Sequence, residues 1–189
     1  IAQAMLDTPG ARPSAETQVQ ALLCRGLARS ELGELAAAEA DFTEARGIVP
    51  PGERGLRARL GALAGNAMLA QGRPADAIAL LDIAAAEARE AGNGALAGGI
   101  EIDRARALVP LKRDPEAALA LAAAMQALPD EPQAWLLAAT LSRRMENLPQ
   151  AQAQIKRAAS LAPSDPEIGL EAGVIAMLAG HADAARQNW

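Results

Sequence analysis

His181 is the only histidine and Cys24 the only cysteine in the chain, so nucleophile-and-base chemistry would have to run through one of these two side chains. Ser-His-Asp and Cys-His sites need a base positioned beside the nucleophile, and no second histidine or cysteine stands near His181, which follows Gly180 at a turn. It reads as a residue at the start of a helix. Cys24 lies among Leu22, Leu23 and Leu27, where a small buried hydrophobe is expected rather than a reactive thiol. One cysteine forms neither an internal disulfide nor a multi-cysteine metal site. The run Gly92-Asn93-Gly94 with Gly98-Gly99 has the composition of a phosphate loop but lacks its Gly-Lys-Ser/Thr ending and follows a helical segment, so a flexible connector is expected. Glu31, Glu34, Glu39, Asp41 and Glu44 are spread around helix surfaces and read as solvated faces rather than a cation site. The expectation is therefore no catalysis, no metal and no cofactor.

The elements that would carry these residues are helices. The chain has 189 residues of which 51% are hydrophobic, which excludes a charge-dominated disordered tail. Alanine and leucine dominate, there is no Tyr, and Phe42, Trp135 and Trp189 are the only aromatics. Strands favour β-branched and aromatic residues, so this composition points to helix. A net charge of −5 argues against a nucleic-acid partner, which needs a basic face. All basic residues except Lys112 and Lys156 are Arg, which suggests a GC-rich, bacterial coding sequence. No apolar run reaches the ~18–20 residues of a membrane span, so a soluble chain without membrane insertion is expected. The start at Ile1, with no charged leader and apolar core, reads as a fragment or a processed chain. The compartment stays open between cytoplasm and periplasm.

A repeat runs through the whole sequence. Ala38, Ala77, Ala117, Ala151 and Ala185 can be aligned as anchors, and the residue four further on is Phe42, Leu81, Leu121, Ile155 and Trp189. Seven beyond the anchor lie Ala45, Ala84, Ala124 and Ala158, and twelve beyond it Pro50, Arg89, Pro129 and Pro163. Twelve before it stands Gly26, Gly65, Ala105, Ala139 or Gly173. A recurring small residue marks a place where two helices approach closely while the large residue fills the neighbouring space. Asp114-Pro115-Glu116 and Asp165-Pro166-Glu167 each offer an N-cap carboxylate, a first-turn proline and an acid. Gly33, Gly72 and Gly180 fall where a left-handed residue would end a first helix, and Pro50, Pro129 and Pro163 end second helices. Roughly ten helices follow.

This pattern resembles the tetratricopeptide repeat, a 34-residue helix-turn-helix unit with small residues, a large apolar residue, Ala and Pro at these offsets. Five units are read, at 19–52, 58–91, 98–131, 132–165 and a truncated 166–189, with Ile1, Ala4 and Pro9 matching the end of a preceding one, in a single repeat domain over 1–189. The resemblance implies an all-α, right-handed superhelical solenoid of antiparallel helix pairs. Two departures stand out. The aromatics usual late in the first helix are replaced by Arg29, Met68, Leu108, Ser142 and Ala176; and residues 53–57 and 92–97 are insertions, with Arg89 in place of a proline, so the second unit should have longer helices. Trp135, at the family's Trp position, is expected in the core.

The resemblance also implies a function, protein binding, on the concave face of the first helices. Carried over position by position, that face holds Leu23, Leu27, Ser30 and Glu31; Arg59, Ala62, Asn66 and Leu69; Ile102 and Arg106; Gln133, Leu136, Thr140, Arg143 and Arg144; and Glu167, Leu170, Val174 and Met177. It reads as apolar with a few arginines, which suits an amphipathic helix or an apolar extended segment better than a C-terminal carboxylate. The leading expectation is a scaffold that binds a protein or peptide ligand there. The alternatives are a non-catalytic helper domain of a larger fused enzyme, and a structural repeat that forms homo-oligomers through its ends.

Overall fold

The computed structural model describes residues 14–181 and Asp183, and among these it contains nine α-helices, one short 3-10 turn and no strand. The helices are α1 (Ala15–Glu31), α2 (Leu35–Ile48), α3 (Arg54–Ala70), α4 (Pro74–Glu90), α5 (Gly94–Leu108), α6 (Asp114–Ala127), α7 (Pro132–Arg144), α8 (Leu148–Leu161) and α9 (Pro166–Leu178). Ile1, Ala4, Pro9, Ala185 and Trp189 lie outside the described residues. The chain divides into two compact units between Leu111 and Lys112.

In the first unit α1 packs on α2, α2 on α3, α3 on α4 and α4 on α5, and the first helices α3 and α5 also touch. The anchors Ala38 and Ala77, and Ala45 and Ala84 seven residues later, are fully buried. Small residues face large ones: a Cβ placed on Gly26 would stand 2.6 Å from Phe42 Cε1, and one on Gly65 would stand 2.8 Å from Leu81 Cδ2. The missing side chain is thus what lets α1 reach α2 and α3 reach α4. Carboxylates pin the helices further. Buried Asp41 on α2 accepts from Arg25 Nη2 at 2.6 Å and Arg29 Nη1 at 2.9 Å, both on α1. Glu87 Oε1 on α4 accepts from Arg46 Nη2 at 2.8 Å and Arg57 Nε at 3.0 Å, while Arg57 Nη1 donates to the carbonyls of Arg46 and Val49 at the end of α2. Buried Glu101 accepts from Arg89 and from Arg104 Nη1.

The second unit repeats the plan with less charge. Helix α6 packs on α7, α7 on α8 and α8 on α9, and α7 also touches α9. Ala117, Ala124, Ala139, Ala151 and Ala158 are fully buried beside Leu121 and Ile155. Here Ser142 Oγ donates to Gln154 Oε1 at 2.7 Å, and both residues are buried.

The punctuation follows the sequence with corrections. Asp165 caps α9, its Oδ1 accepting from the N–H groups of Glu167 and Ile168. Asp114 does not cap α6: it is the first helical residue, after Arg113, and its Oδ1 is buried without a partner among the described residues. Gly33, Gly72 and Gly180 do turn left-handed, at φ 76°, 73° and 81°. Lys112 and Glu146, five residues before their own anchors like those glycines, adopt the same conformation at φ 57° and 61°. The residues read as insertions extend helices: α3 already starts at Arg54 and α5 at Gly94, so the second pair has two 17-residue helices. The glycine-rich run is accordingly not a flexible connector. Gly92 turns at φ 69°, Asn93 Oδ1 caps α5 by accepting from Leu96 N, and Gly98 is buried in the helix.

Candidate functional site

Within a unit, a first helix packs on the second helix of its own pair and on the helix before it, so a ligand reaches only the residues that lie off both contacts. On α1 the buried residues are Val19, Leu22, Leu23 and Gly26, at the i, i+3, i+4, i+7 spacing of one helix face, together with Ala21 beside them. Cys24 falls off that face and is exposed, which corrects the expectation of a buried thiol drawn from its leucine neighbours. Trp135 is likewise not core but packs at its edge, half-buried, with its indole N–H donating to the Pro129 carbonyl at 2.9 Å. His181 is exposed, and its backbone N–H closes the end of α9 on the Ala176 carbonyl.

The residues expected on the concave face divide by burial. Leu23, Ile102 and Leu136 retain 7%, 7% and 6% of their surface, and Ala62 is buried with them. Leu23 packs with Leu22 and Phe42, and Leu136 with Ala139 and Ile155, so a charge at either position would disrupt the fold instead of sparing it. Leu27, Asn66, Arg106, Leu170 and Met177 are exposed, as are Glu31, Arg59, Arg144 and Glu167; Leu69, Thr140, Arg143, Val174, Ser30 and Gln133 are half-buried. The accessible face is therefore more polar than its sequence suggested.

In the first unit three of the candidates come together. Asn66 and Leu69 of α3 and Arg106 of α5 line a cleft of about 730 Å³, completed by Ala70, Gly72, Pro74 and Pro110. Asp103, which sequence reasoning missed, ties the two helices across it: its Oδ2 accepts from Asn66 Nδ2 at 2.9 Å and its Oδ1 from Arg106 Nη1 at 3.3 Å. Burial pushes the Asp103 carboxyl above the ordinary aspartate range, against the opposing pull of Asn66 and Arg106. Its spacing of three from Arg106 was a readable signal; its pairing with Asn66, 37 residues away, was not.

In the second unit Arg143 of α7 is held by Glu171 of α9, Nε to Oε1 at 2.6 Å and Nη2 to Oε2 at 3.2 Å. Arg143 is thus engaged within the protein, while Leu170 at 61% exposure and Met177 offer apolar surface on α9. Among the described residues no group of three or more His, Cys, Asp and Glu is placed to hold a metal ion, and no helix is long and apolar enough to cross a membrane.

Antiparallel helix pairs joined by left-handed turns, with anchor alanines buried where consecutive helices meet, are the fold of tetratricopeptide repeat proteins, and this chain has that fold. No protein-family model matches the chain, and no curated protein matches it in sequence. Solved structures do. The chain is similar to BtubC (BKLC) from P. vanneervenii, with a TM-score of 0.81 at 15% identity over 93% of this chain and 79% of that one. It is similar to TTC0263, a thermophilic tetratricopeptide repeat protein in Thermus thermophilus, with a TM-score of 0.71 at 19% identity over 90% and 87% of the two chains. It is also similar to YrrB, described as a tetratricopeptide repeat protein with an unusual peptide-binding site, with a TM-score of 0.67 at 16% identity over 93% and 89%.

Proposed function

We propose that this chain is a non-catalytic protein-interaction scaffold that takes a peptide segment of a partner on its first-helix face. The observation that carries the reading is the cleft shared by α3 and α5, where Asn66, Leu69 and Arg106 stand together around open volume. Its chemistry suits a segment with an apolar side chain against Leu69, Ala70, Pro74 and Pro110 and an acidic group beside the Arg106 guanidinium. Arg106 is exposed and its contact to Asp103 is long, so turning toward an incoming carboxylate costs little. The fold fits this role, because a stack of rigid helix pairs presents a preformed surface and loses little entropy on binding. The apolar anchors first expected at Leu23, Ile102 and Leu136 support the face from beneath.

A photo-crosslinking amino acid placed at Asn66 in the full chain, in its own cell, tests this. Discrete partner crosslinks at that site, reduced by Arg106→Glu and not matched by the same probe at exposed Ala123 on α6, are expected. Crosslinks that ignore Arg106→Glu, or that form equally at Ala123, would remove the first-helix face as the binding site.

A further inference from the structure

The positions nine before and three after the anchors Ala38 and Ala151 form a hydrogen-bonded pair, and the two helix pairs fill it differently. Between α1 and α2 the pair is Arg29 and Asp41, with Arg25 as a third member: the side chains fill the space, and Asp41 has short contacts from both guanidinium groups. Between α7 and α8 the pair is Ser142 and Gln154, which is smaller. Gln154 is 7% exposed and its Oε1 accepts from Ser142 Oγ, but its Nε2 donates to nothing among the described residues. Above it opens a cleft of about 220 Å³ between α6 and α8, lined by Leu121, Ala122 and Met125 of α6, Met145 after α7, and Gln150 and Gln154 of α8.

We propose that this cleft is a second binding site, for one uncharged apolar side chain of a partner protein, of Leu or Met size, whose main-chain carbonyl accepts from Gln154 Nε2. Four properties of the cleft select that occupant. None of its lining residues is charged, in a chain that is 22% charged, so an anionic or cationic ligand would be desolvated there without a counter-charge. Its volume lies below the ~300–1,000 Å³ of pockets that hold drug-sized molecules, which leaves a single side chain as the fitting guest. Met125 and Met145 at the rim can adapt to an aliphatic group. Gln154 lines the cleft with an Nε2 that has no acceptor among the described residues, and a peptide carbonyl beside the inserted side chain can accept from it. The site does not rest on the first-helix reading: α7 contributes Ala138, Leu141 and Ser142 here, whereas the other face of the same helix carries Leu136, Thr140 and Arg143.

The test uses the full chain labelled with ¹³C at the methionine methyls, titrated with the capped peptide acetyl-Ala-Leu-Ala-amide and, in parallel, acetyl-Ala-Glu-Ala-amide. The leucine peptide should shift Met125 and Met145 together, saturating with a Kd on the order of 1 mM, as its few atoms allow, and the Met68 and Met177 methyls should stay in place. The glutamate peptide should shift neither. Ala122→Glu, at an exposed rim residue, should weaken the leucine peptide about tenfold or more. The double variant Ser142→Ala/Gln154→Leu, which leaves no buried polar group alone, should weaken it by roughly fivefold, one net hydrogen bond. No shift at Met125 and Met145 up to about ten times that concentration, an equal response to the glutamate peptide, or an unchanged titration in Ala122→Glu each overturns the proposal. Shifts confined to Met68 or Met177 also overturn it, while pointing to the first-helix face.

Discussion

Replacing Gly26 by alanine sets two opposite effects against each other at a position where their sizes can be compared. A glycine inside a helix costs roughly 1 kcal/mol relative to alanine, so the substitution gains that much from backbone propensity alone. Against it, the new Cβ would lie 2.6 Å from Phe42 Cε1 and 2.9 Å from Cδ1, and Phe42 is enclosed at 1% exposure with nowhere to turn. The ring or the α1–α2 spacing must then give by on the order of 1 Å, and overpacking of this kind costs ~1–3 kcal/mol. The net is a loss of about 1 kcal/mol, or roughly 2–4 °C in melting temperature for a chain of this length. Gly99, inside α5, provides the matched opposite: a Cβ there meets nothing within 4 Å, so Gly99→Ala should keep the propensity gain and melt about 2–4 °C above the parent. Circular dichroism at 222 nm followed through heating and through urea reads both. If Gly26→Ala melts as high as Gly99→Ala, the close approach of α1 to α2 does not exist as described, and the small-against-large account of the repeat fails with it.

Lys112→Gly and Glu146→Gly should each stabilise the protein by about 0.5–1 kcal/mol, because both residues hold the left-handed conformation that glycine adopts without strain; urea midpoints measure this, and a loss in both would show that their side chains matter more than their backbone. Asp41→Asn should cost about 2–3 kcal/mol, somewhat under the ~3–5 kcal/mol of a fully buried broken pair because Arg25 and Arg29 keep some exposure; an unchanged urea midpoint would contradict it. Asp103 binds its proton more tightly in the fold than in the unfolded chain, since burial raises its pKa. Its contribution to stability is therefore present below the ordinary aspartate value of about 3.9 and is lost as pH rises through the raised folded value. The urea midpoint of the parent relative to Asp103→Asn should fall across that window, and a difference that is flat or rises with pH would refute the burial of this carboxyl.

What could be read from the sequence was what the repeat fixes through covalent spacing. The anchor alanines recur because a helix pair closes only over a methyl group, and that requirement survives without knowledge of neighbours: Ala38, Ala77, Ala117 and Ala151 are all fully buried. The same offset holds the left-handed turns at Lys112 and Glu146, where the conformation recurs without the glycine that signals it elsewhere. Cys24 has leucine neighbours in sequence but stands on the exposed side of α1, so its burial follows its angle on the helix and not its neighbours. The binding face was harder to read, because position in a repeat gives a direction but burial depends on the next helix. Leu23 and Leu170 occupy comparable faces of their helices, yet one is 7% and the other 61% exposed. Asp103 and Glu171, which bridge first helices to their neighbours, find Asn66 and Arg143 at separations of 37 and 28 residues, beyond any local pattern.

The pair nine before and three after the anchor shows how such a scaffold acquires individuality. The backbone there is fixed by the alanines, so the two side chains can change type without disturbing the helix pair that carries them. Arg29 with Asp41 fills and neutralises the place, and at the same positions of the next pair stand Met68 and Leu80, both apolar and half-buried. Ser142 with Gln154 does neither, since a hydroxyl and an amide satisfy one hydrogen bond and leave volume over beside the Gln154 amide, which lines the cleft. A site that filled the pair with charge would reject an apolar guest by desolvation, and one that filled it with methyl groups would give the guest nothing to orient it. The small polar pair is the one arrangement of the three that leaves room for a side chain and also marks where its carbonyl should go.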